Sequence, residues 1–233
     1  PSDMTITATS LSVLEALSEE LRTMATPHVA DRLARLTRRS ETLHAGWRTE
    51  VEKAGASDRI SLPWLNHCLR EVIDRNAIVI SEYSFRQEYC PLERPGSLFA
   101  LSSAGGLGWG FPAALGAKLA ARSRMVVSVL GDGAYMFANP TACHYVAQMQ
   151  KLPVLTVIYN NALYGAVRRA TLDMYGQGVA AEDDGRLLAD LPAPHFEKIV
   201  AAHDGHGERV ERPADLPAAL QRAAAAVKAG TQA

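Results

Sequence analysis

The sequence predicts an α/β fold, a doubly wound parallel sheet flanked by helices, from two observations. Three short apolar runs, Ala77–Ser81 (AIVIS), Met125–Leu130 (MVVSVL) and Val154–Tyr159 (VLTVIY), suit strands buried on both faces. Segments of helical spacing, Pro112–Ala121 and Pro140–Gln150, lie between them, so strand and helix alternate as in βαβ units.

The elements follow in chain order. Thr5–Thr9 reads as a short β-like stretch. Ser10–Leu21 reads as a helix with Ser10 as N-cap and Leu11, Leu14, Leu17 and Leu21 as one apolar stripe. Pro27 opens a second helix, with Val29, Leu33, Leu36 and Leu43 on one side and Arg32, Arg35, Arg38 and Arg39 on the other. The nearby Glu41, Glu50 and Glu52 make that basic side a solvated face rather than an anion-binding surface. Gly55–Asp58 reads as a linker. The expected division is therefore residues 1–60, as the end of a preceding domain with its connecting helices, and residues 61–233, as the α/β domain.

Leu62–Asp74 is expected to be helical, with Pro63 in the first turn. After the third apolar run come a helix opening within Ala162–Ala170, a polar loop over Gly176–Asp190, a helix at His195–His203, a short strand at Arg209–Val210 and a helix at Leu216–Lys228. Gly230–Ala233 stands about where a final strand is expected.

Composition narrows the function classes. The 233 residues are 48% hydrophobic and 21% charged, enough apolar material for a sizeable core. Lys plus Arg number 24 and Asp plus Glu 25, which gives no reason to expect nucleic acid or a membrane surface as partner. Apolar runs fall short of the roughly 18 residues of a membrane span, and no signal peptide pattern is visible. Cys68, Cys90 and Cys143 match no zinc or disulfide spacing and read as free thiols, which suits a reducing, cytoplasmic setting.

In an open parallel sheet, ligands bind beyond the carboxyl ends of the strands. Three polar or glycine-containing segments fall there: Glu82–Arg86, Gly131–Gly133 and Asn160–Tyr164. The sharpest pattern is Gly131-Asp132-Gly133 and, further on, Asn160-Asn161, each directly after an apolar strand. Asp132 offers a carboxylate, Asn161 a neutral oxygen, and the glycines allow backbone to approach phosphate closely. That donor set suits Mg²⁺, which takes hard oxygen ligands together with phosphate oxygens.

GDG followed by NN, with Ser102–Ala120 (SSAGGLGWGFPAALGAKLA) before it and Asn160–Arg169 (NNALYGAVRR) after it, resembles the thiamine diphosphate enzymes of the acetolactate synthase, benzoylformate decarboxylase and benzaldehyde lyase group. The resemblance is specific from about Ile60 to Ala170. It implies thiamine diphosphate and Mg²⁺ as cofactors. Asp132 and Asn161 would be side-chain metal ligands and Leu163 a backbone ligand. Gly131, Gly133 and Ala134 would meet the diphosphate at a helix start, and Ser84 would donate its hydroxyl to it. Gly105 would accept a hydrogen bond from the cofactor's amino group through its carbonyl with Gly106 also at the cofactor, Leu107 would be the apolar wedge that bends the cofactor, and Tyr164 would line the pocket. The substrate would be a 2-oxo acid, handled by decarboxylation or by acetolactate synthase-like carboligation.

The resemblance further implies a homo-oligomer, dimer or tetramer. The glutamate that activates the cofactor would sit on a pyrimidine-binding domain of a partner subunit, so these 233 residues read as a C-terminal fragment that is silent alone. The sequence departs from the family pattern at Ala162, where Gly or Gln commonly follows NN, and at Tyr83, Phe85 and Arg86, where small hydroxylated residues are frequent.

Two alternatives remain. A Rossmann-type dinucleotide domain would use Gly105–Gly110, but Gly106, Gly108 and Gly110 give G-x-G-x-G, not the dinucleotide fingerprint, and Asn160-Asn161 goes unexplained. A non-catalytic subunit of the same fold is the other. His144 reads as a packed histidine, Trp109 as packing, and His203 with His206 as a turn.

Overall fold

The computed structural model describes residues 3–24, 28–83, 85–100, 104–182, 189–192 and 194–233. The chain divides into two compact units, Pro1–Gly46 and Trp47–Ala233.

In the first unit, α1 spans Ser10–Thr23. Its cap is Thr9, one residue before the expected Ser10: the Thr9 hydroxyl accepts the Ser12 N–H at 3.3 Å. Thr5–Thr9 forms no strand, which corrects the β-like reading. A lone extended stretch has no neighbouring ladder to satisfy its backbone. Helix α2 runs Val29–Gly55 and so begins in the first unit. Pro27 lies outside the described residues. Leu11, Leu14, Leu17, Leu21, Leu33, Leu36 and Leu43 are exposed, as are Arg32, Arg35, Arg38 and Arg39.

The second unit holds the sheet. Four parallel strands are ordered β2-β1-β3-β4: β1 Ile78–Glu82, β2 Leu98–Ala100, β3 Val126–Gly131 and β4 Leu155–Tyr159. The three expected apolar runs supply β1, β3 and β4, each shifted by about one residue. Helix α3 Leu62–Arg70 precedes β1, and α4 Gly110–Ala120, α5 Asp132–Phe137 and α6 Pro140–Gln150 stand between the strands. After β4 come α7 Gly165–Met174, α8 Val179–Glu182, α9 Phe196–Ala201 and α10 Leu216–Lys228. Helix α3 stops four residues before the expected Asp74. Arg209–Val210 belongs to none of the sheet strands, so the expected strand there is absent from the described ladder. The short α8 falls inside the expected loop, of which residues 183–188 lie outside the described part.

Helices cover both faces, as a doubly wound sheet requires. Alternation along the strands sends Val79, Val127, Val129 and Leu155 to one face, against Leu65 and Leu69 of α3 and Leu216, Leu220 and Val227 of α10. Ile78, Ile80, Val126 and Leu130 face the other way, against Phe111 and Leu115 of α4, Cys143 and Ala147 of α6, and Phe196 of α9. Outside β4, Ala233 pairs in strand fashion: its N–H donates to the Val154 carbonyl at 3.1 Å and its carbonyl accepts the Thr156 N–H at 2.7 Å. All three cysteines are buried and free, with burial pushing Cys68 up to about 11 and Cys90 up to about 12.

The order β2-β1-β3-β4 places a switch point between β1 and β3, from whose carboxyl ends the chain leaves in opposite directions. Glu82 pairs with Leu130 there, and Gly131 pairs with Tyr159 one strand further on. Asp132 and Asn160 therefore emerge side by side.

One polar network is sealed in the α5–α6 face. His144 is 2% exposed, with Nε2 at 2.7 Å from the Tyr135 hydroxyl and Nδ1 at 2.8 Å from Gln232 Oε1. The Gln232 amide nitrogen donates to the carbonyls of His144 and His203, so its oxygen faces His144 as an acceptor. His144 must then carry its proton on Nδ1 and accept the tyrosine O–H on Nε2. This is the packed histidine the sequence suggested. Burial, with His203 nearby, pushes the imidazole below its ordinary 6.5. The folded state thus holds it neutral while the unfolded chain protonates first. The stabilisation is complete above about pH 6.5 and is lost as pH falls below it. We expect the urea midpoint to drop between about pH 7 and about pH 5.5, and the drop to flatten in His144→Gln. A native profile level across that window contradicts the neutral-histidine assignment.

Candidate functional site

The site is built at the carboxyl edge of β1, β3 and β4. Asp132 directly follows β3 and opens α5, with Gly131 at the N-cap position. Its side chain is 3% exposed. Oδ1 accepts the Gly133 N–H at 2.8 Å. Oδ2 is buried and has no hydrogen-bond partner among the described residues. Leaving a buried carboxylate oxygen unmatched costs about 1–3 kcal/mol or more, so a fold tolerates it where a ligand completes it. Gly133 lends its N–H to the carboxylate here, and Ala134 follows it in the first turn of α5, whose amides have no partner within the helix.

From β4 the chain turns sharply. Asn160 Oδ1 accepts the Ala162 N–H and Asn161 Oδ1 accepts the Leu163 N–H, both at 3.0 Å. These are Asx turns, which let Asn fold its own backbone. Ala162 takes a left-handed φ of 55°, the conformation glycine adopts without penalty. That explains why a family pattern would favour Gly there. Leu163 bridges to Asp190, through the Ala162 carbonyl and the Tyr164 N–H. The loop then folds onto α5. A Cβ on Gly133 would lie 2.6 Å from Tyr164 Cε1, so the tyrosine ring rests directly on the GDG turn. Tyr164 also meets Phe137 edge-on at 6.1 Å.

The glycine segment before α4 approaches the end of α5 through Gly108, where a Cβ would lie 2.6 Å from the Phe137 carbonyl carbon. Gly105 has φ 62°, and Gly105 and Gly106 are exposed. Leu107 is 39% exposed, an apolar side chain left open to solvent. Ser84 lies outside the described residues, as do Ser102 and Ser103. Its neighbour Tyr83 has φ 80°, a strained value for a non-glycine residue of the kind that clusters at functional edges.

The structure thus brings together Gly131, Asp132, Gly133 and Ala134 with Tyr164, and sets Asn160-Asn161 on the neighbouring strand end. Sequence reasoning named the segment Glu82–Arg86 but gave Glu82 no role. Glu82 is 1% exposed and its two oxygens accept the N–H groups of Gly108 at 2.7 Å and Gly110 at 2.8 Å. Its signal was a carboxylate placed directly after an otherwise apolar buried run.

The residues fit a hard cation. The unmatched Asp132 Oδ2 and the Asn161 Oδ1 on the neighbouring strand end are hard oxygen donors of the kind Mg²⁺ takes. No cluster of three or more His, Cys, Asp or Glu suited to a metal occurs among the described residues. The set is therefore incomplete without oxygens from a ligand such as a diphosphate. A groove of about 540 Å³ along the outer side of β4 is lined by Asn160 and Asn161 but not by Asp132, Gly105 or Leu107.

Comparison with known proteins agrees with the geometry. Residues 81–231 match the family described as thiamine pyrophosphate enzyme, C-terminal TPP binding domain. A probable acetolactate synthase of Mycobacterium bovis is 33% identical over 203 residues, which is 78% of this chain and 35% of that relative. A benzoylformate decarboxylase of Pseudomonas aeruginosa is 35% identical over 135 residues, 58% of this chain and 24% of the relative. Among solved structures, a thiamine diphosphate-dependent 4-hydroxybenzoylformate decarboxylase of Rhodococcus jostii RHA1 superposes with TM-score 0.63 at 25% identity, over 76% of this chain and 32% of that one. The chain thus spans about a quarter to a third of the length of these relatives. The family match sets aside the Rossmann alternative.

The orphaned oxygen makes a stability prediction. If Asp132 is kept for a ligand and not for the fold, Asp132→Asn leaves the ligand-free chain as stable as the native or firmer by about 1 kcal/mol, because a buried charge is removed. Added Mg²⁺ with pyrophosphate then raises the melting temperature of the native chain and not of the variant. A ligand-free Asp132→Asn chain markedly less stable than the native would assign the carboxylate to the fold.

Proposed function

The chain belongs to the thiamine pyrophosphate enzymes, as their C-terminal TPP binding domain, and on that premise we propose that Asp132, Asn161 and the carbonyl of Leu163 hold the Mg²⁺ that anchors the cofactor's diphosphate. The observation that carries this reading is the buried, half-satisfied Asp132 carboxylate on the strand end beside Asn160-Asn161. Gly131, Gly133, Ala134 and Ser84 attend the diphosphate, and Gly105, Gly106, Leu107 and Tyr164 the rings.

Each residue has a physical task. Asp132 supplies negative charge where a divalent cation must be held against phosphate. Asn161 adds an oxygen without further charge, so the site does not overbalance the diphosphate. Its oxygen also folds the turn that aims Leu163. Glycines at 131 and 133 keep side chains from the path of the phosphate, and Tyr164 closes the turn against solvent. Leu107 presents an apolar surface on which a bent cofactor can rest. When bound, thiamine diphosphate supplies a carbon nucleophile and an electron sink for bond cleavage next to a carbonyl.

For the whole protein we propose action on a 2-oxo acid, by decarboxylation or acetolactate synthase-like carboligation. The named relatives, an acetolactate synthase and two decarboxylases, support that class. Activation of the cofactor falls to a glutamate outside these 233 residues, on the pyrimidine-binding domain of a partner subunit in a homodimer or tetramer. The matched region is 35% of one relative and 24% of the other, which leaves room for that domain. Three free thiols suit a cytoplasmic location, and no helix among the described residues is long and apolar enough to cross a membrane.

Calorimetric titration tests the anchor. Thiamine diphosphate with Mg²⁺ should give binding heat with the native chain and lose it with Asp132→Ala, while NAD gives none. Equal heat from the variant would remove Asp132 from the site. Binding of NAD in place of thiamine diphosphate would overturn the reading.

A further inference from the structure

Glu82 is the last residue of β1 and is shut away from solvent, at 1% exposure. Its carboxylate reaches across to the start of α4, where Oε1 takes the Gly108 N–H at 2.7 Å and Oε2 the Gly110 N–H at 2.8 Å. Gly110 opens α4, and Trp109 at the N-cap position offers no side-chain cap. First-turn amides of a helix need a partner from outside it. Here a carboxylate from another element provides it, in the charge-assisted form that is stronger than a neutral cap.

Gly108 is gripped from the other side as well. Its φ is 89°, and a Cβ there would lie 2.6 Å from the Phe137 carbonyl carbon and 2.7 Å from the Ala138 nitrogen. Phe137 ends the short helix that Asp132 begins. One glycine therefore sits between the β1 carboxylate and the far end of the helix carrying the metal-ligand candidate. Gly105, Gly106 and Leu107 immediately precede it and are exposed. Gly110 is equally close, since a Cβ there would meet Glu82 Oε2 at 2.9 Å.

We propose that Glu82 is a positioning residue that fixes the Gly105–Leu107 segment relative to Asp132, and so sets the distance between the ring-binding and diphosphate-binding parts of the site. This deepens the proposed function and rests on it. Glu82 acts through the Gly108 and Gly110 amides, with no contact to the cofactor required. The strand is the stiff element, and the carboxylate transfers its position to a glycine-rich segment that has little side-chain packing of its own. The diphosphate end is held separately, by Asp132 and the Asn160–Tyr164 turn. Losing Glu82 should therefore separate the two ends of the ligand, whereas a residue serving only helix stability would weaken both alike.

The test uses the 233-residue chain and two probes, thiamine diphosphate and inorganic pyrophosphate, each with Mg²⁺. Glu82→Gln keeps the shape but turns one acceptor into a donor facing an N–H. Thiamine diphosphate affinity should fall about tenfold or more, the scale of one lost charge-assisted hydrogen bond. Pyrophosphate affinity should stay within about twofold, as for a distant independent site. Equal losses for both probes, or no loss for thiamine diphosphate, would overturn the proposal. Should the variant not fold, the native chain still decides. Its Gly108 and Gly110 amide resonances should shift with thiamine diphosphate and hold still with pyrophosphate. The same response to both probes, or none to either while binding occurs, refutes it. A native chain that binds neither probe refutes the metal–diphosphate reading itself, and this inference with it.

Discussion

Everything in the α/β unit depends on the parallel pairing of β1, β3 and β4. Pairing Glu82 with Leu130 and Gly131 with Tyr159 brings three strand ends to one level. Parallel strands leave their carbonyl ends on the same edge, and the order β2-β1-β3-β4 opens a crevice there. The strands keep that alignment because a one-residue slip would turn Val127 and Val129 away from α3 and α10, and Ile80 and Leu130 away from α4. The hydrophobic core thus fixes the level of the strand ends from which the polar edge is built.

Against that fixed frame the edge is left partly unsatisfied. Asp132 has one oxygen matched and one orphaned. Glu82, equally buried, has both oxygens matched by amides of the same chain. The contrast separates their tasks. A carboxylate whose partners are all supplied within the chain braces it, and one with a missing partner awaits a ligand. His144 belongs with the first kind, since Tyr135 and Gln232 fill both of its ring nitrogens. It is a sealed element of packing beside the site.

The sheet and most of its helices were legible in the sequence because their signals are local. Apolar runs named β1, β3 and β4, and Pro140 and Leu216 marked helix starts that the structure keeps. The placement of Asp132 and Asn161 at neighbouring strand ends was legible because GDG and NN sit directly after those runs. The failures have a common cause in partners that sequence does not reveal. Thr5–Thr9 and Arg209–Val210 have extended-looking residues but no neighbouring strand among the described residues, and a strand without a ladder is not a strand. Leu62–Asp74 overran because its apolar spacing continues past Arg70 while Leu69 already accepts the amides that close the turn. Glu82 gained a role only when folding placed Gly108 and Gly110, 26 and 28 residues on, against it.

The central claim is that the orphaned oxygen of Asp132 and the amide oxygen of Asn161 share one metal ion with a diphosphate. The most direct measurement is a crystal structure of this chain grown with thiamine diphosphate and Mn²⁺ in place of Mg²⁺, read by anomalous scattering at the manganese edge. The account predicts one strong peak within about 2.0–2.3 Å of Asp132 Oδ2 and Asn161 Oδ1, at hard-cation ligand distance. A peak bound elsewhere on the chain, or diphosphate seated away from the GDG turn with Asp132 still unmatched, would contradict it.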